Sequence, residues 1–344
     1  MTTIKPDTTS RPLVSVIIPT YNYGTLISET LVSVQRQTLA SWECIIVDDG
    51  STDDTAEVVA RVAEHDARVH YTRQGNQRQA VAKNTAFSQM RGEYLQFLDA
   101  DDLIESRKLE SQVAYLEAHP EVDIVYGGVR YFRTHDRNER LYSMGEDNLP
   151  WMPEVSGEDG EVLKALVCDN IMVINSPLVR RSLVERVGHF DARLPPAEDW
   201  DYWLRCALAG AHFQFVDLPD TLALVRLHST SSSQNRIRMY RAMLLIRKRL
   251  EASLGDKELL ALNRALCAKE EGELAFEEAG HGSSLNSAWH FARAARMERR
   301  WKWRMKLLAC ALASPFVSER RLRTIVSSSI IQSVKNLGRK GETT

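Results

Sequence analysis

The 344-residue sequence has little that marks a secreted, nucleic-acid-binding or membrane-spanning protein. Its five cysteines are scattered, odd in number and without Cys-x-x-Cys spacing, which argues against a disulfide framework and against a zinc site. The formal net charge of −2 argues against general nucleic-acid binding. The apolar stretch 307–313 is far too short to span a bilayer.

What is present fits a cytoplasmic enzyme. Residues 1–11 are polar, so we expect them to be disordered and to carry no signal peptide. Hydrophobic residues at 44% and charged residues at 26% are ordinary values for globular proteins. The length allows one main domain and an appendage.

Three carboxylates end an apolar run at residues 94–98, which has the composition of a buried strand in a parallel sheet. Asp99, Asp101 and Asp102 therefore come at a strand's carboxyl end, where open α/β sheets bind ligands. Like charges this close repel unless a cation offsets them, and oxygen ligands favour Mg²⁺ or Mn²⁺ over zinc. An acidic helix start is the alternative, since Asp also caps helices.

Strand and helix signals alternate before this run. Strands are predicted at 13–19, stopped by Pro19, at 43–47 and at 68–71, with a helix over 77–90. This alternation predicts an α/β fold whose parallel strands are joined by right-handed crossovers.

Five segments resemble, in order and at ordinary spacing, the nucleotide-sugar domain of the family-two, inverting glycosyltransferases with the GT-A fold. The resemblance implies a mixed, mainly parallel central sheet with helices on both faces, over about residues 12–235. The family's strand order 3-2-1-4 would place the donor at the topological switch between the first and fourth strands. A lead-in at 187–191 is also similar, although a second Gly is commoner where His189 stands. The five segments are residues 14–22, 47–55, 75–86, 97–102 and 198–205.

The resemblance implies that the strand ends bind a nucleotide-diphosphate sugar, with a UDP-sugar favoured. Tyr21 would cover the base, and Asp49 would accept a hydrogen bond from a ring N–H. Pro19 and Thr20 would add backbone contacts. Lys83 lies where a cation can meet the diphosphate, although a solvated lysine on a helix surface is the alternative.

The same resemblance implies a divalent cation, Mn²⁺ or Mg²⁺. Asp101 would bind the metal that bridges the two phosphates, and Asp99 would lie near the ribose and the metal. The metal would neutralise charge on the departing diphosphate. Residues 226–233 are similar to a loop that closes over the donor, in which His228 would complete the metal shell and Arg226 would face the phosphates. An ordinary polar loop residue is the alternative for His228.

An inverting transfer also needs a base that takes the proton from the acceptor hydroxyl. Asp199 is the candidate, at the start of a helix whose apolar face would hold it against the sheet. Glu198 is adjacent but points about 100° away on a helix. The alternative is that both acids only favour a helix N-terminus through the helix dipole.

After residue 235 the sequence becomes helical and basic, which predicts a helical extension over 236–340 with helices at 234–254, 257–278 and 285–304. Residues 292–340 contain thirteen Lys or Arg but only two Glu, interleaved with Trp301 and Trp303. Basic residues with interfacial tryptophans suit an anionic membrane surface. We therefore expect a cytoplasmic protein that can be peripheral at the inner membrane face. The alternative is that the extension braces the acidic catalytic domain.

Three other functions compete with sugar transfer to a glycan or lipid-linked acceptor. A nucleotidyltransferase would have a glycine-rich phosphate loop, which residues 19–24 do not supply. Calcium binding would need alternating ligands and a terminal Glu, which residues 48–55 lack. A degenerate, inactive scaffold is harder to exclude, but intact Asp49, Asp101 and Asp199 argue against it.

Overall fold

The computed structural model describes residues 11–145, 147–158, 160–194, 196–228 and 235–326. The expectations for disorder at the N-terminus, for the serine-rich loop after His228 and for the last basic residues fall outside this part of the chain. The chain divides into two compact units, Met1–Ser231 and Ser232–Thr344.

A seven-stranded mixed sheet forms the centre of the first unit. Its strands lie in the order β10-β6-β9-β4-β1-β2-β3. Neighbouring strands are parallel except at β9, which runs antiparallel to both β4 and β6. The mixed, mainly parallel sheet predicted from the sequence is therefore confirmed. The strands are β1 (Val14–Thr20), β2 (Trp42–Asp48), β3 (Val69–Arg73), β4 (Tyr94–Phe97), β6 (Ile124–Tyr126), β9 (Leu178–Arg180) and β10 (Phe213–Phe215).

The innermost strands are buried along their whole length, as expected for a sheet with both faces covered. Every residue of β1 and of β2 is buried. β1 continues through Pro19, which lies opposite Val47, and ends at Thr20 rather than stopping at the proline as predicted. A missing N–H so close to the strand end removes at most one ladder bond. The helices of this unit are α1 (Ile27–Gln35), α2 (Thr55–Ala63), α3 (Gln79–Phe87), α4 (Lys108–Ala118), α5 (Gly160–Cys168), α6 (Arg181–Val187) and α7 (Glu198–Leu208).

A second, four-stranded sheet was not predicted from the sequence. Its order is β5-β11-β7-β8. Arg226 lies within β11, where it pairs with Phe132, and not in the loop that follows the strand. This corrects the predicted start of the loop at residue 226. The strands are β5 (Leu103–Ile104), β7 (Val129–Arg133), β8 (Asp136–Leu141) and β11 (Ala223–Leu227).

The turn after β2 brings two acidic residues to the sheet edge. Gly50 has φ +87°, a left-handed conformation that glycine adopts without a steric penalty. The backbone N–H of Ser51 then donates to the Asp48 carboxylate (2.7 Å), which closes the turn. The neighbouring Asp49 thus sits at the carboxyl end of the strand, where ligands bind in open α/β sheets.

The second unit is helical, as the sequence indicated. Its apolar centre includes Ala275, Phe291 and Leu307. The predicted helix over 285–304 is in fact two helices, because the backbone is extended at Glu298 and Arg300. Among the residues that the structure describes, no helix is long and apolar enough to cross a membrane. The helices are α8 (Arg236–Ser253), α9 (Lys257–Gly280), α10 (Ser284–Met297), α11 (Trp301–Ala313) and α12 (Glu319–Val326).

Candidate active site

The acidic cluster predicted from the sequence forms where β4 ends. Burial raises the pKa of Asp99 to about 7, with Lys83 opposing the shift and Asp101 adding to it. Burial, together with Asp101 and Asp99, also raises the pKa of Asp102 well above its usual range. Burial and the neighbouring carboxylates therefore disfavour the ionised forms of Asp99 and Asp102, which is the situation that a bound cation would relieve.

The members of this cluster have different partners. The Asp102 carboxylate accepts hydrogen bonds from Asn175 Nδ2 (2.5 Å) and from the Arg226 backbone N–H (2.7 Å), so it supports the surrounding chain. Asp99 accepts from Gln79 Nε2 (2.7 Å). Asp102 thus ties β4 to the second sheet, and Asp99 and Asp101 remain as the metal candidates.

The structure brings Asp101 and His228 together. Asp101 Oδ2 lies 2.6 Å from His228 Nε2, and each side chain is 14% exposed. Tyr23 lies beside both, with a hydrogen bond to Asp101 and its ring edge-on to the His228 ring at 6.3 Å. Burial, together with the carboxylates of Asp101 and Asp99, raises the pKa of Tyr23, so its hydroxyl stays protonated and can donate a hydrogen bond. Sequence reasoning missed Tyr23, although it directly follows the 14–22 segment.

Arg226 is buried and mostly engaged by the protein. Its Nη2 donates to Glu29 (2.8 Å), and its Nε donates to the Asp101 backbone carbonyl (2.7 Å). Its guanidinium also lies over the Phe132 ring at 4.7 Å. Nη1 is buried without a hydrogen-bond partner among the described residues. One donor group of this buried arginine therefore has no partner in the described part of the chain, while the other two hold β11 in place.

Asp49 organises the segment between β3 and α3. Its carboxylate accepts from Gln74 Nε2 (2.8 Å) and from the backbone N–H groups of Gln77 (2.8 Å) and Arg78 (2.6 Å). Arg78 has φ +78°, a strained conformation for a residue other than glycine. These contacts give Asp49 a structural task in addition to the base contact predicted for it.

The residues predicted to contact the nucleobase of the donor lie at the end of β1. Thr20 is buried, and its hydroxyl has no hydrogen-bond partner within the described chain. Its backbone carbonyl accepts from the Asp49 N–H (2.8 Å), which joins the ends of β1 and β2. Tyr21 is 45% exposed, directly after Pro19 and Thr20. An exposed aromatic ring at this edge can stack on a planar ligand.

Lys83 is buried in an ion pair and does not lie on a solvated helix surface. Its Nζ is 2.9 Å from Glu198 Oε1, and both side chains are almost fully buried. Although burial opposes the charged form, the carboxylates of Glu198 and Asp99 raise the pKa of Lys83. The pair links α3 to the start of α7 and so fixes the helix that carries Asp199.

This buried pair leads to a stability prediction. We expect Lys83→Met to destabilise the protein by about 3–5 kcal/mol, because Glu198 would be left buried and unpaired. Lys164→Met removes a lysine from an exposed pair with Glu161 and should cost less than about 1 kcal/mol. Urea unfolding of both variants measures the difference. Equal effects, or no recovery in a Lys83→Met/Glu198→Leu double variant, would argue against the pair as the cause.

The hydrogen bonds that the Asp199 carboxylate accepts within the described chain come from neutral groups. Its Oδ1 accepts from the Trp200 backbone N–H (2.8 Å), and its Oδ2 accepts from Asn170 Nδ2 (3.0 Å). Burial and the neighbouring Glu198 raise the pKa of Asp199, with Lys83 and the two hydrogen bonds opposing. Trp203, on the same helix, is fully buried, as predicted for the face that anchors Asp199.

Two asparagines that sequence reasoning missed support the acidic residues. Asn170 contacts Asp199, and Asn175 contacts both Asp102 and the backbone N–H of Asp99. Both lie between α5 and β9, far in sequence from their partners. The sequence carried no signal for them, because a lone Asn in a loop has many ordinary roles.

The residues present fit a divalent cation in their chemistry. Asp99 and Asp101 offer oxygen ligands, and His228 offers a nitrogen that Mn²⁺ accepts more readily than Mg²⁺. Within the described residues, no three His, Cys, Asp or Glu side chains are grouped as a complete metal site. Phosphate oxygens of a substrate commonly supply the remaining ligands of such ions.

The fold is that of a GT-A glycosyltransferase domain, and comparisons with known proteins agree. The sequence model described as glycosyl transferase family 2 matches residues 15–185. The Bacillus subtilis protein named as glycosyltransferase EpsE is 30% identical over 265 residues, covering 72% of this chain and 86% of that protein. The chain belongs to glycosyltransferase family 2.

Solved structures share the fold. Staphylococcus aureus TarS, residues 1–349 in complex with UDP-GlcNAc, superposes with a TM-score of 0.61 at 19% identity, covering 95% of this chain and 92% of that one. The Pyrobaculum calidifontis mannosyltransferase PcManGT, in complex with GDP-Man and Mn²⁺, gives a TM-score of 0.54 at 24% identity, with coverages of 97% and 90%. At these identities the likeness establishes the fold alone.

Proposed function

We propose that the protein is a metal-dependent, inverting glycosyltransferase that moves a sugar from a nucleotide-diphosphate donor to an acceptor hydroxyl. The single observation that carries this proposal is the placement of Asp199. Among the residues that the structure describes, it is the acid at the start of α7 that forms no salt bridge with a basic side chain. Glu198 is held by Lys83, and Asp201 Oδ2 lies 2.9 Å from Arg205 Nε.

The surroundings of Asp199 suit a general base. A base works best when its pKa lies close to the working pH, and burial beside Glu198 shifts the pKa of Asp199 upward. Asn170 and the Trp200 N–H orient the carboxylate while it is ionised. The carboxylate would take the proton of the acceptor hydroxyl. The hydroxyl oxygen would at the same time attack the anomeric carbon from the face opposite the leaving group.

The other strand ends would hold the donor. Tyr21 would stack on the nucleobase of the donor, and Pro19 and Thr20 would contribute backbone contacts. Asp49 would accept a hydrogen bond from the nucleobase after the segment that now donates to its carboxylate adjusts. The positive charge of Lys83 would favour binding of the diphosphate. The Nη1 group of Arg226, which has no partner among the described residues, would favour it as well.

Asp101, Asp99 and His228 would hold Mn²⁺ or Mg²⁺. When bound, the ion would supply positive charge to the departing diphosphate. Tyr23 would hold Asp101 in place by its hydrogen bond. A uridine donor is favoured because the family resemblance points to it and because TarS binds UDP-GlcNAc, although PcManGT binds GDP-Man.

The acceptor would be a glycan or a lipid-linked sugar. The positive charge of the second unit favours a location of the enzyme at the cytoplasmic face of an anionic membrane, where lipid-linked acceptors are presented. The variable segment between β7 and β9 would form the acceptor pocket.

The stereochemistry of the product tests the proposed mechanism. With an α-linked donor, an inverting enzyme gives a β-linked product, which the coupling constant of the anomeric proton reports by NMR. A product with retained configuration would exclude Asp199 as a base that activates the acceptor in a single displacement. Binding of donors without any transfer or hydrolysis would favour the inactive scaffold.

The pH dependence of transfer gives a further prediction. Asp199 must be ionised to act, so transfer should fall as the pH drops through its raised pKa. Asn170 donates to the ionised carboxylate, and Asn170→Ala should raise this pKa further and move the acid limb of the rate profile to higher pH. Asn286→Ala, on the exposed surface of α10, is the control. An unmoved acid limb in Asn170→Ala would contradict the assignment.

A further inference from the structure

Helix α11 has a second apolar face that points to solvent. Trp301, Met305, Leu308 and Leu312 are spaced by four, three and four residues, which places them on one side of a helix. They are 68%, 47%, 37% and 79% exposed, respectively. The opposite side, with Leu307 and Cys310, is buried in the core of the second unit. We call the four exposed residues the α11 stripe.

The α11 stripe is more than ordinary scatter of surface hydrophobics. Single exposed leucines are common on soluble proteins and need no explanation. Here four large apolar side chains follow one another along one helix, and Phe316, just beyond its end, is also largely exposed. A contiguous apolar patch with polar borders is typical of a surface that binds a partner or a membrane.

The borders of the α11 stripe are basic. At about 100° per residue, Arg304 lies on one side of the stripe and Lys302 and Lys306 lie on the other. Residues 292–326 contain ten Lys or Arg against two Glu. Both glutamates are paired, Glu298 with Arg300 (2.8 Å) and Glu319 with Arg323 (2.7 Å). The region therefore carries a strong excess of positive charge.

The charge decides between the possible occupants. A second copy packed through the same stripe would bring the two basic borders face to face, which is repulsive. An anionic lipid surface attracts the basic side chains while its acyl region accepts the apolar ones, and tryptophan prefers that interface. The 13 residues of α11 make a helix about 20 Å long, which suits a position in the plane of the membrane surface.

We propose that the α11 stripe inserts into the surface of an anionic bilayer, with Lys302, Arg304 and Lys306 contacting the lipid headgroups. This deepens the proposed function, on which its biological meaning rests, by naming the residues that would hold the enzyme next to a membrane-bound acceptor. Lipid binding itself does not require donor or catalysis.

Vesicle sedimentation of the full-length protein without donor tests this proposal. We expect binding to phosphatidylglycerol–phosphatidylcholine vesicles, weak binding to pure phosphatidylcholine, and loss of binding as salt rises from about 0.05 M to about 1 M. Trp301→Ser/Leu312→Ser should weaken the partition at least about tenfold, because two side chains no longer bury apolar surface in the lipid. All the substituted positions are exposed, so the fold should persist.

A matched pair of leucines supplies the control. Leu308, in the stripe, is 37% exposed, and Leu245, on α8, is 39% exposed. Leu308→Ser should weaken vesicle binding, whereas Leu245→Ser should not. Equal binding to neutral vesicles, or equal effects of the two substitutions, would overturn the proposal.

Other occupants give different results. Concentration-dependent dimers that dissociate in Trp301→Ser/Leu312→Ser would assign the stripe to a second copy and overturn the membrane proposal. Loss of binding only on removal of residues 327–344 would assign lipid binding to the tail instead. Donor hydrolysis in solution, measured separately, reports on the catalytic proposal, so the two proposals can fail independently.

Discussion

Asp199→Asn is expected to lower glycosyl transfer by about 10²–10⁴-fold, the usual contribution of a general base. The amide has nearly the same shape as the carboxylate but cannot take the acceptor proton at neutral pH. Donor binding should be preserved, because none of the residues proposed to contact the donor lies on α7. Turnover and donor affinity, measured on the same preparations, separate the two effects.

Asp201→Asn is the matched control on the same helix. It breaks the pair with Arg205 but leaves the proposed base intact, so transfer should remain close to that of the wild type. Wild-type turnover in Asp199→Asn would move the role to Glu198 or Asp201. A loss of donor affinity as large as the loss of turnover would instead indicate that Asp199 positions the donor.

Asp101→Ala is expected to remove the metal dependence of donor binding and to lower transfer on the order of 10²-fold or more, because the cation would lose a charged ligand. The fold should survive, since Asp101 lies beyond the end of β4 and not in the apolar core. Titration of a uridine diphosphate donor with and without Mn²⁺ measures the change directly.

Asp54→Ala is the control for this metal prediction. Asp54 is an exposed acid just before α2, and its side chain forms no capping hydrogen bond with that helix. Its replacement should leave the metal dependence unchanged. If Asp101→Ala binds the donor with the same response to Mn²⁺ as the wild type, the metal assignment is wrong.

The sequence predicted those parts of the fold that depend on local patterns. The largely apolar segments of β1, β2 and β4 are buried along their whole length, so they show no regular alternation of apolar and polar residues and are easily recognised. The three-residue strand β9 was missed, since it is too short to show a period and pairs antiparallel within a mostly parallel sheet. The second sheet was missed for a similar reason: β8 is polar at every position except Leu141, so it shows no apolar alternation.

The candidate site also contains residues that local sequence patterns reveal and residues that they do not. The acids at the strand ends could be found from the sequence, because abrupt changes from apolar to acidic residues are visible there. Local patterns could not reveal their partners: Lys83 and Glu198 are 115 residues apart, and only the family resemblance placed His228 with Asp101, from which it is 127 residues away. Contacts at such separations follow from the strand order, not from any local pattern. The same holds for Arg226, which the structure places in a strand and pairs with Glu29.

The most direct test of the proposed activity is the release of nucleoside diphosphate from a panel of sugar nucleotides, measured with and without Mn²⁺. We predict that at least one donor, a UDP-sugar before the others, is hydrolysed or transferred and that the rate rises with the metal. Binding of donors without release would make the protein a scaffold. Release of pyrophosphate from a nucleoside triphosphate and a sugar phosphate, with no diphosphate from any sugar nucleotide, would make it a nucleotidyltransferase and contradict the proposal.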